Sequence, residues 1–284
     1  MLANKRIAVI GAGHIGTALI GGLLKAKLLD AKNITAARRD AAALEELRKR
    51  FGVHVTPDNR KAVKGAHIVI LSVKPQTALA VLDELAPAMD ESQLIITVMA
   101  GIATETIVKH LGKPNPVVRA MPNTPVLVDQ GATPIAKGAH ASEEHLRLAE
   151  SVFKAVGIVE TIPESLMSAV TGLSGSGPAY IYMVIEALTD GGVKMGIPRV
   201  TARRLAAQTV LGAAKLVIET GKHTAVLKDE VTTPGGTTIA AVHELESKGL
   251  RTVLMDAVVT ATKRADELSD TYKLSDCTAF NWVF

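Results

Sequence analysis

The stretch RIAVIGAGHIGTALIGGLL, Arg6 to Leu24, decides the fold that this sequence predicts. It begins with a short apolar run that is typical of a buried strand and ends in a glycine. GAGHIG, Gly11 to Gly16, follows and fits the pattern G-x-G-x-x-G, and apolar residues then recur at helical spacing from Ile15 onward. A strand, a glycine turn and a helix in this order predict a dinucleotide-binding unit.

Each glycine of the turn has its own physical role. Gly11 allows a tight turn, Gly13 lets the backbone approach a pyrophosphate, and Gly16 permits close packing of the helix on the strand. The N-terminus of the helix would supply unpaired N–H groups and a positive dipole to the phosphates. The alternative is a glycine-rich turn that binds no ligand. A P-loop is excluded because Gly16 is followed by Thr17 and not by lysine.

Outward from this unit, strand and helix patterns alternate as far as Pro163. Such alternation predicts a parallel sheet with helices on both faces. After the second strand, a helical pattern is expected to end at Gly52. Seven further segments have strand character, and they begin at Asn33, Val53, His67, Leu94, Pro116, Gly131 and Gly157.

The pattern changes after Pro163, because only helical periodicity is found from there to Leu268. The faces of these helices carry many Ala, Gly and Thr residues, and aromatic residues make up only 3% of the chain. Small side chains let helices approach closely, which favours a homodimer or an assembly of dimers. The predicted fold is an α/β Rossmann N-terminal domain over residues 1–163 and an all-α C-terminal dimerisation domain over residues 164–268.

Composition argues against several classes of function. Of 284 residues, 48% are hydrophobic and 21% are charged, which is typical of a globular protein. The net charge of +4 comes from scattered basic residues, so we expect no binding to nucleic acid. The uncharged run from Ser165 to Ile185 contains GLSGSGP, which indicates a loop rather than a membrane span. No HExxH motif, histidine pair or acidic cluster suggests a metal site.

The single cysteine, Cys277, excludes an internal disulfide, which fits a reducing compartment such as the cytoplasm. The strand-like start LANKRIAVIG lacks the layout of a signal peptide, so we expect a cytoplasmic protein. Cys277 lies in a segment, residues 269–284, whose composition differs from that of the rest. We expect this segment to be a tail introduced by the expression vector, and the predicted fold leaves it out. The alternative is a natural tail that docks on a partner. The segment contains the aromatic residues Tyr272, Phe280, Trp282 and Phe284.

The end of the second strand indicates which nicotinamide nucleotide is preferred. An NAD site usually offers Asp or Glu there to bind the ribose 2′-hydroxyl group. Here TAARRD offers Arg38 and Arg39, whose guanidinium groups suit a 2′-phosphate. We therefore expect NADPH as the cofactor, with NADH as the alternative if both arginines are merely solvated. Asp40 is expected either to cap the helix that follows or to carry a favourable charge in its first turn.

Three more turns follow predicted strands at the edge where open α/β sheets bind ligands. LSVKPQ places Val73, Lys74 and Pro75 at this edge, and VMAGI has small residues where a nicotinamide could lie. RAMPNTP, Arg119 to Pro125, forms the third turn.

Six motifs together resemble the pyrroline-5-carboxylate reductase family. They are GAGHIG, LSVKPQ, VMAGI, RAMPNTP, GLSGSGPAY and LKDEVTTPGGTTIAAVHELE, of which the last is the most specific. The resemblance runs from about Lys5 to Leu268 and implies the two domains described above. It also implies the last step of proline biosynthesis, in which NAD(P)H delivers a hydride to the C=N carbon of 1-pyrroline-5-carboxylate to give L-proline.

The resemblance assigns cofactor-binding residues by position. It implies that the pyrophosphate is held by Gly11, Ala12, Gly13, His14, Ile15 and Gly16, and that Asn59 lies at the adenine side. The track from adenosine to nicotinamide is implied to comprise Ser72, Val73, Lys74, Pro75, Met99, Ala100 and Gly101.

The PGGTT turn is expected to bind the substrate. Gly235 and Gly236 free the backbone, so that N–H groups near Thr237 and Thr238 can form an anion site at a helix N-terminus for the substrate carboxylate. The alternative is an ordinary glycine turn with a threonine cap. The resemblance places the Thr238 hydroxyl against the ring nitrogen, which makes Thr238 the expected catalytic residue.

Two other substrate-binding residues are expected with alternatives. The resemblance implies that Glu230 contacts substrate or cofactor, although some family members carry Asn at this position. Ser176 either lines the substrate pocket or caps a helix. In related hydroxyacid dehydrogenases a comparable glycine turn leads to a catalytic lysine, whereas PAYIYMV contains none. Because an alcohol substrate needs a base, this absence disfavours such a dehydrogenase. A non-catalytic NADP-binding sensor is the remaining alternative.

Overall fold

The computed structural model describes the backbone of residues 2–278 and the side chains of residues 2–272. An eight-stranded sheet has the spatial order β3-β2-β1-β4-β5-β6-β7-β8, and each strand coincides with a segment that the sequence predicts. The strands are β1 (Ile7–Ile10), β2 (Ile34–Ala37), β3 (His54–Thr56), β4 (Ile68–Leu71), β5 (Leu94–Thr97), β6 (Val117–Ala120), β7 (Gly131–Lys137) and β8 (Gly157–Thr161).

The direction of the strands departs from prediction at one edge of the sheet. Strands β1 to β6 run parallel, but β7 is antiparallel to β6, and β8 is parallel to β7. The prediction of a parallel sheet is therefore confirmed for β1 to β6 and is wrong for the pairing of β7 with β6. Only a short 3₁₀ segment, Thr124–Val128, lies between β6 and β7, which leaves no room for the crossover helix that a parallel connection needs.

Both faces of the sheet are covered, as predicted. Successive side chains of a strand point to opposite faces. Accordingly, Ile7 and Val9 belong to one buried apolar cluster, and Ala8 and Ile10 belong to another. All four residues of β1 are buried, which explains why the strand reads as a continuous apolar run.

Seven helices lie between β1 and the π-helical segment Thr171–Gly175, and five follow it in the described part of the chain. The first seven are α1 (His14–Lys25), α2 (Ala41–Phe51), α3 (Asn59–Val63), α4 (Ala78–Leu85), α5 (Thr104–Leu111), α6 (Glu143–Phe153) and α7 (Met167–Val170). The others are α8 (Gly177–Lys194), α9 (Arg199–Thr220), α10 (Thr224–Glu230), α11 (Thr237–Ser247) and α12 (Leu250–Thr278). Among the described residues, no helix is long and apolar enough to cross a membrane.

Helix α2 has the two ends that the sequence predicts. The Asp40 side chain accepts a hydrogen bond from the Ala43 N–H at 3.1 Å, which confirms its role as the N-cap. Gly52 ends the helix in the left-handed region, at φ +68°, and its N–H donates to the Arg48 carbonyl oxygen.

Contacts divide the chain into two compact units. Residues 1–175 and 260–284 form the sheet unit, and Ser176–Val259 form the helical unit. The sequence places the domain boundary at Pro163 instead. The segment after Pro163 groups with the sheet because Glu164 and Ser174 accept hydrogen bonds from residues of that unit.

The first ten residues of the segment 269–284, which the predicted fold leaves out, belong to a helix. Helix α12 continues to Thr278, and Tyr272 packs against the apolar cluster that contains Met99 and Ile102. An existing helix is extended at little cost, because each added residue brings one hydrogen bond. The side chains of Cys277, Phe280, Trp282 and Phe284 lie outside the part of the chain that is described.

Candidate active site

The glycine turn between β1 and α1 has the expected geometry. Gly11 has a φ of +83°, and a Cβ atom there would lie 2.6 Å from Val73 Cγ1. A Cβ atom on Gly16 would lie 3.0 Å from Val9 Cγ1, so glycine lets α1 pack closely on β1. Gly13 differs, because its added Cβ would have only the Gly11 carbonyl oxygen near it, at 3.8 Å. The space beside Gly13 is therefore open to a ligand.

The N-terminus of α1 supplies donors at this open space. Gly13 is the N-cap, and the first hydrogen bond of the helix runs from the Thr17 N–H to the Gly13 carbonyl oxygen at 2.8 Å. The N–H groups that precede Thr17 therefore have no acceptor within the helix. No acidic residue lies in the first turn of α1. Free amides at the positive end of the helix dipole form a site that suits a phosphate group.

A cavity of about 340 Å³ opens beside the turn, where β1, β2 and β4 end. In sheets of this topology the crevice beyond the carboxyl ends of the strands is where nucleotides bind. The cavity is lined by Gly11, Gly13, Ala37, Arg38, Arg39, Asp40, Asn59, Ser72, Val73, Lys74, Thr77 and Val81. Eight of these residues are expected from sequence to bind the cofactor. Sequence reasoning missed Thr77 and Val81, although the helical pattern that follows LSVKPQ was an available signal.

The remaining residues expected at the cofactor do not line this cavity. Ala12 and Gly16 are buried beneath the turn. His14 lines a neighbouring cavity of about 300 Å³. Ile15 packs against the apolar core, and Pro75 opens a 3₁₀ turn. The last three, Met99, Ala100 and Gly101, follow β5.

The two arginines after β2 are held differently. Arg38 is half-buried, and its Nη1 donates to the Ala12 carbonyl oxygen at 3.4 Å while its Nη2 lies 3.9 Å from Asp40 Oδ2. Arg39 is exposed. Both arginines line the cavity. Asn59 also lines it, and its Nδ2 donates to Glu84 Oε2 at 3.1 Å, which fixes the orientation of the amide.

The turn after β5, from Met99 to Gly101, has contacts at its first and its last residue that hold it in place. Met99 is buried, and its N–H donates to Thr97 Oγ1 at 3.2 Å. Gly101 has a φ of +78°, and a Cβ atom there would lie 3.3 Å from Tyr272 Cε2 and 3.7 Å from the Leu268 carbonyl carbon. The second half of α12 therefore packs directly on this turn.

A polar cluster joins β6, the start of α5 and the segment after β8, and sequence reasoning did not find it. The Glu164 carboxylate accepts the Thr104 N–H at 2.9 Å and the Thr104 hydroxyl at 2.6 Å, and it lies 3.2 Å from Arg119 Nη1. The Arg119 side chain is only 11% exposed. In the turn after β6, Asn123 donates to the Ser174 carbonyl oxygen. The partners are 45 to 60 residues apart in the chain, so no local pattern indicates them.

The PGGTT turn lies in the helical unit, between α10 and α11. Gly235 has a φ of +65°, a conformation that favours glycine. Gly236 is the N-cap of α11, and a Cβ atom there would lie 2.2 Å from Thr233 Oγ1. The two glycines therefore let the chain turn tightly onto the start of the helix.

The start of α11 presents free N–H groups. The first hydrogen bond at this end runs from the Ala240 N–H to the Gly236 carbonyl oxygen at 3.4 Å. The N–H groups of Thr237 and Thr238 come before it and have no acceptor within the helix. Thr237 is exposed, whereas Thr238 is half-buried. No acidic residue lies in the first turn, so the geometry suits a carboxylate.

Two other expected substrate residues also lie in the helical unit. Glu230 is exposed at the end of α10, where its Oε1 pairs with Lys222 Nζ at 2.5 Å. Ser176 occupies the N-cap position of α8, but its hydroxyl makes no capping hydrogen bond. The alternative reading of Ser176 as a helix N-cap therefore holds for its position, although the hydroxyl takes no part in the cap.

The sheet order, the glycine turn and its cavity define a Rossmann-type nucleotide-dependent oxidoreductase, and similarity to known families supports this class. Residues 6–101 match the family described as NADP oxidoreductase, coenzyme F420-dependent. Residues 164–268 match the family described as pyrroline-5-carboxylate reductase dimerisation.

Individual proteins are similar over nearly the whole chain. Identity to pyrroline-5-carboxylate reductase of Methanosarcina acetivorans is 46%, over 94% of this chain and 99% of that protein. The solved structure of pyrroline-5-carboxylate reductase from Coxiella burnetii has a TM-score of 0.89 at 38% identity, covering 93% of this chain and 98% of that one. The NADP-bound Plasmodium falciparum structure has a TM-score of 0.85 at 28% identity, covering 95% and 100%. The chain belongs to the pyrroline-5-carboxylate reductase family.

Proposed function

We propose that this protein reduces 1-pyrroline-5-carboxylate to L-proline with NADPH, the last step of proline biosynthesis. The observation that carries the proposal is the PGGTT turn, which ends in free N–H groups at the start of α11. A nucleotide site alone would serve many reactions, but a second anion site suits a substrate with a carboxylate. The similar proteins that are named pyrroline-5-carboxylate reductase support the same reaction.

The residues present fit a nicotinamide dinucleotide. The pyrophosphate would lie beside Gly13, where a side chain is absent and the amides of α1 are free. When bound, the reduced nicotinamide supplies the hydride. We propose that Arg38 and Arg39 bind the 2′-phosphate and so favour NADPH over NADH, since both line the cavity. The NADP in the Plasmodium falciparum structure is consistent with this preference.

The proposed role of the helical unit is to hold the substrate. The N–H groups of Thr237 and Thr238 bind the carboxylate, and the Thr238 hydroxyl lies against the ring nitrogen and orients it. A cyclic imine is readily protonated and the resulting iminium is electrophilic, so the protein needs no strong base. Catalysis then rests mainly on orientation. Glu230 and Ser176 are proposed to line the same substrate site.

We propose that residues 164–268 form a homodimer, alone or within a larger assembly, and that residues 1–163 form the nucleotide-binding domain. Within the helical unit, Met183 is 69% exposed, Ile218 is 74% exposed and Met255 is 61% exposed. Such apolar faces usually mark an interface. The single cysteine of the chain favours a cytoplasmic location for this enzyme.

The test measures oxidation of NADPH by its near-ultraviolet absorbance, with 1-pyrroline-5-carboxylate as the substrate, and then repeats the assay with NADH. Oxidation that depends on the substrate is expected, with a higher kcat/KM for NADPH than for NADH. If the folded protein binds NADPH but shows no oxidation, the proposed reaction is wrong and a sensor is the better interpretation. Equal efficiency with both nucleotides would reject the role of the two arginines.

A further inference from the structure

We propose that Tyr272, near the end of α12, is a positioning residue for the nicotinamide end of the cofactor site. The inference rests on the proposed function, because it takes the turn from Met99 to Gly101 as part of the wall that faces the nicotinamide. The family described as pyrroline-5-carboxylate reductase dimerisation matches only as far as residue 268. Tyr272 therefore lies beyond the part of the chain that this match defines.

The contact between Tyr272 and the turn is close and made by ring carbons. A Cβ atom added to Gly101 would lie 3.3 Å from Cε2 and 3.4 Å from Cδ2 of Tyr272. The ring thus rests on the backbone of Gly101 itself. Tyr272 is half-buried and packs against the apolar cluster that includes Met99 and Ile102. The ring therefore contacts Gly101, the last residue of the turn. It also contacts the apolar cluster that contains Met99, the first residue of the turn.

The backbone of Gly101 is covered by α12 and is not anchored by a side chain of its own. It has a φ of +78° and carries no side chain that could fix it to the core. Met99 is fixed by burial and by its hydrogen bond to Thr97 Oγ1, so the start of the turn is already held. Ile102, the residue after Gly101, is fully buried, and Gly101 lies between these two anchors under the Tyr272 ring and the Leu268 backbone. Small displacements of a positioning group are costly for hydride transfer, because the reacting atoms must be held within contact distance.

The experiment compares Tyr272→Ala and Tyr272→Phe in the full-length chain. The dissociation constant for NADPH is measured without substrate, and kcat and both KM values are measured with it. Asp266→Ala is the matched control, since Asp266 is exposed and lies on the same helix. Thermal unfolding of each variant shows whether the fold is retained.

We expect Tyr272→Ala to raise the dissociation constant and KM for NADPH about three- to tenfold and to lower kcat, with KM for 1-pyrroline-5-carboxylate within about twofold. Tyr272→Phe should behave as wild type, because the contact is made by ring carbons. Nucleotide affinity and kcat in Tyr272→Ala that match those of Asp266→Ala would overturn the inference. So would equal losses in Tyr272→Ala and Tyr272→Phe, or a rise in KM for both substrates alike.

The two proposals fail in different ways. A wild-type protein that binds NADPH but does not reduce 1-pyrroline-5-carboxylate contradicts the proposed function, and the binding measurement still decides the role of Tyr272. A wild-type protein that reduces the substrate while Tyr272→Ala is unaffected contradicts only the role of Tyr272. A wild-type protein that binds no nicotinamide nucleotide contradicts both.

Discussion

The side chain of Asn123 joins the turn after β6 to the π-helical segment Thr171–Gly175. Its Nδ2 donates to the Ser174 carbonyl oxygen at 3.1 Å, and its Oδ1 accepts the Ala132 N–H at 2.9 Å. A π-helical turn is rare and usually marks a functional position. Ser176, an expected substrate residue, follows this segment directly. One amide thus satisfies two main-chain groups and holds the segment that leads to Ser176.

Replacing Asn123 should therefore destabilise the protein. Asn123→Ala leaves both main-chain groups without their partner, and we expect the free energy of unfolding to fall by about 1–3 kcal/mol. Asn123→Asp keeps the acceptor for Ala132 but loses the donor to Ser174. Urea unfolding of both variants, with the exposed Asn4→Ala as control, measures the effect. Stability of Asn123→Ala equal to that of Asn4→Ala would contradict the prediction.

Gly11 and Gly13 should tolerate alanine differently. At Gly11, a Cβ atom would meet Val73 at a φ of +83°, so Gly11→Ala should lower the free energy of unfolding by about 2–4 kcal/mol. At Gly13 there is space for a Cβ atom, and φ is −83°. Gly13→Ala should therefore fold normally but bind NADPH at least about tenfold more weakly, because the methyl group fills the pyrophosphate position.

Thermal unfolding and titration with NADPH separate these two effects of alanine. Normal nucleotide affinity in Gly13→Ala would show that the pyrophosphate does not approach this turn.

Arg38 and Arg39 should determine the preference between the two nucleotides. Each guanidinium can make a charge-assisted hydrogen bond to a 2′-phosphate, so Arg38→Ala and Arg39→Ala should each lower kcat/KM for NADPH about tenfold and leave that for NADH nearly unchanged. Steady-state kinetics with both nucleotides measure the ratio. Arg48→Ala is the control, since Arg48 pairs with Glu45 at 2.8 Å on α2. An unchanged ratio in both test variants would remove these residues from the site.

Thr238 should contribute through its hydroxyl and Thr237 only through its backbone. Thr238→Ala should lower kcat/KM about ten- to a hundredfold, which is the scale of one hydrogen bond to a charged group, and Thr238→Ser should restore most of it. Thr237→Ala keeps the N–H group and removes only an exposed side chain, so it is the matched control. Kinetics of Thr238→Ala that match those of Thr237→Ala would refute the assigned role.

His67 should make stability depend on pH in acid. Burial lowers the pKa of His67, and the positive charges of Arg6 and Lys5 add to the effect. The neutral ring also accepts the Arg6 N–H at Nδ1, at 2.9 Å. The unfolded chain therefore binds this proton more readily than the folded protein. The stabilisation is present above the ordinary pKa of 6.5 and is lost as pH falls from there through the lowered pKa.

Because His67 lies near the surface, this pH effect should be small. Urea unfolding at about pH 7 and about pH 5 measures it. The loss of stability between the two values should be smaller in His67→Gln than in wild type, with His54→Gln as the matched control. An equal loss in wild type and His67→Gln would exclude His67 as the cause.

Much of the fold was predictable because its signals are local. The apolar run of β1 is continuous since all of its residues are buried, and the glycines that follow are required by φ at Gly11 and by close packing at Gly16. The caps of α2 are also local, because Asp40 and Gly52 each make a hydrogen bond to a residue three or four positions away. Backbone conformation and burial on one element are encoded in neighbouring residues, so the sequence alone determined these features.

Tertiary structure decided what depends on distant partners. The antiparallel direction of β7 follows from the short connection after β6, whereas the periodicity of β7 itself does not show which way the strand runs. The pairing of Glu164 with Arg119 and the contact of Tyr272 with Gly101 join residues far apart in the chain. The composition of the segment after Leu268 differs from that of the rest of the chain, yet Tyr272 from this segment packs against the apolar core. Composition describes what a segment contains, whereas packing depends on which surface it meets.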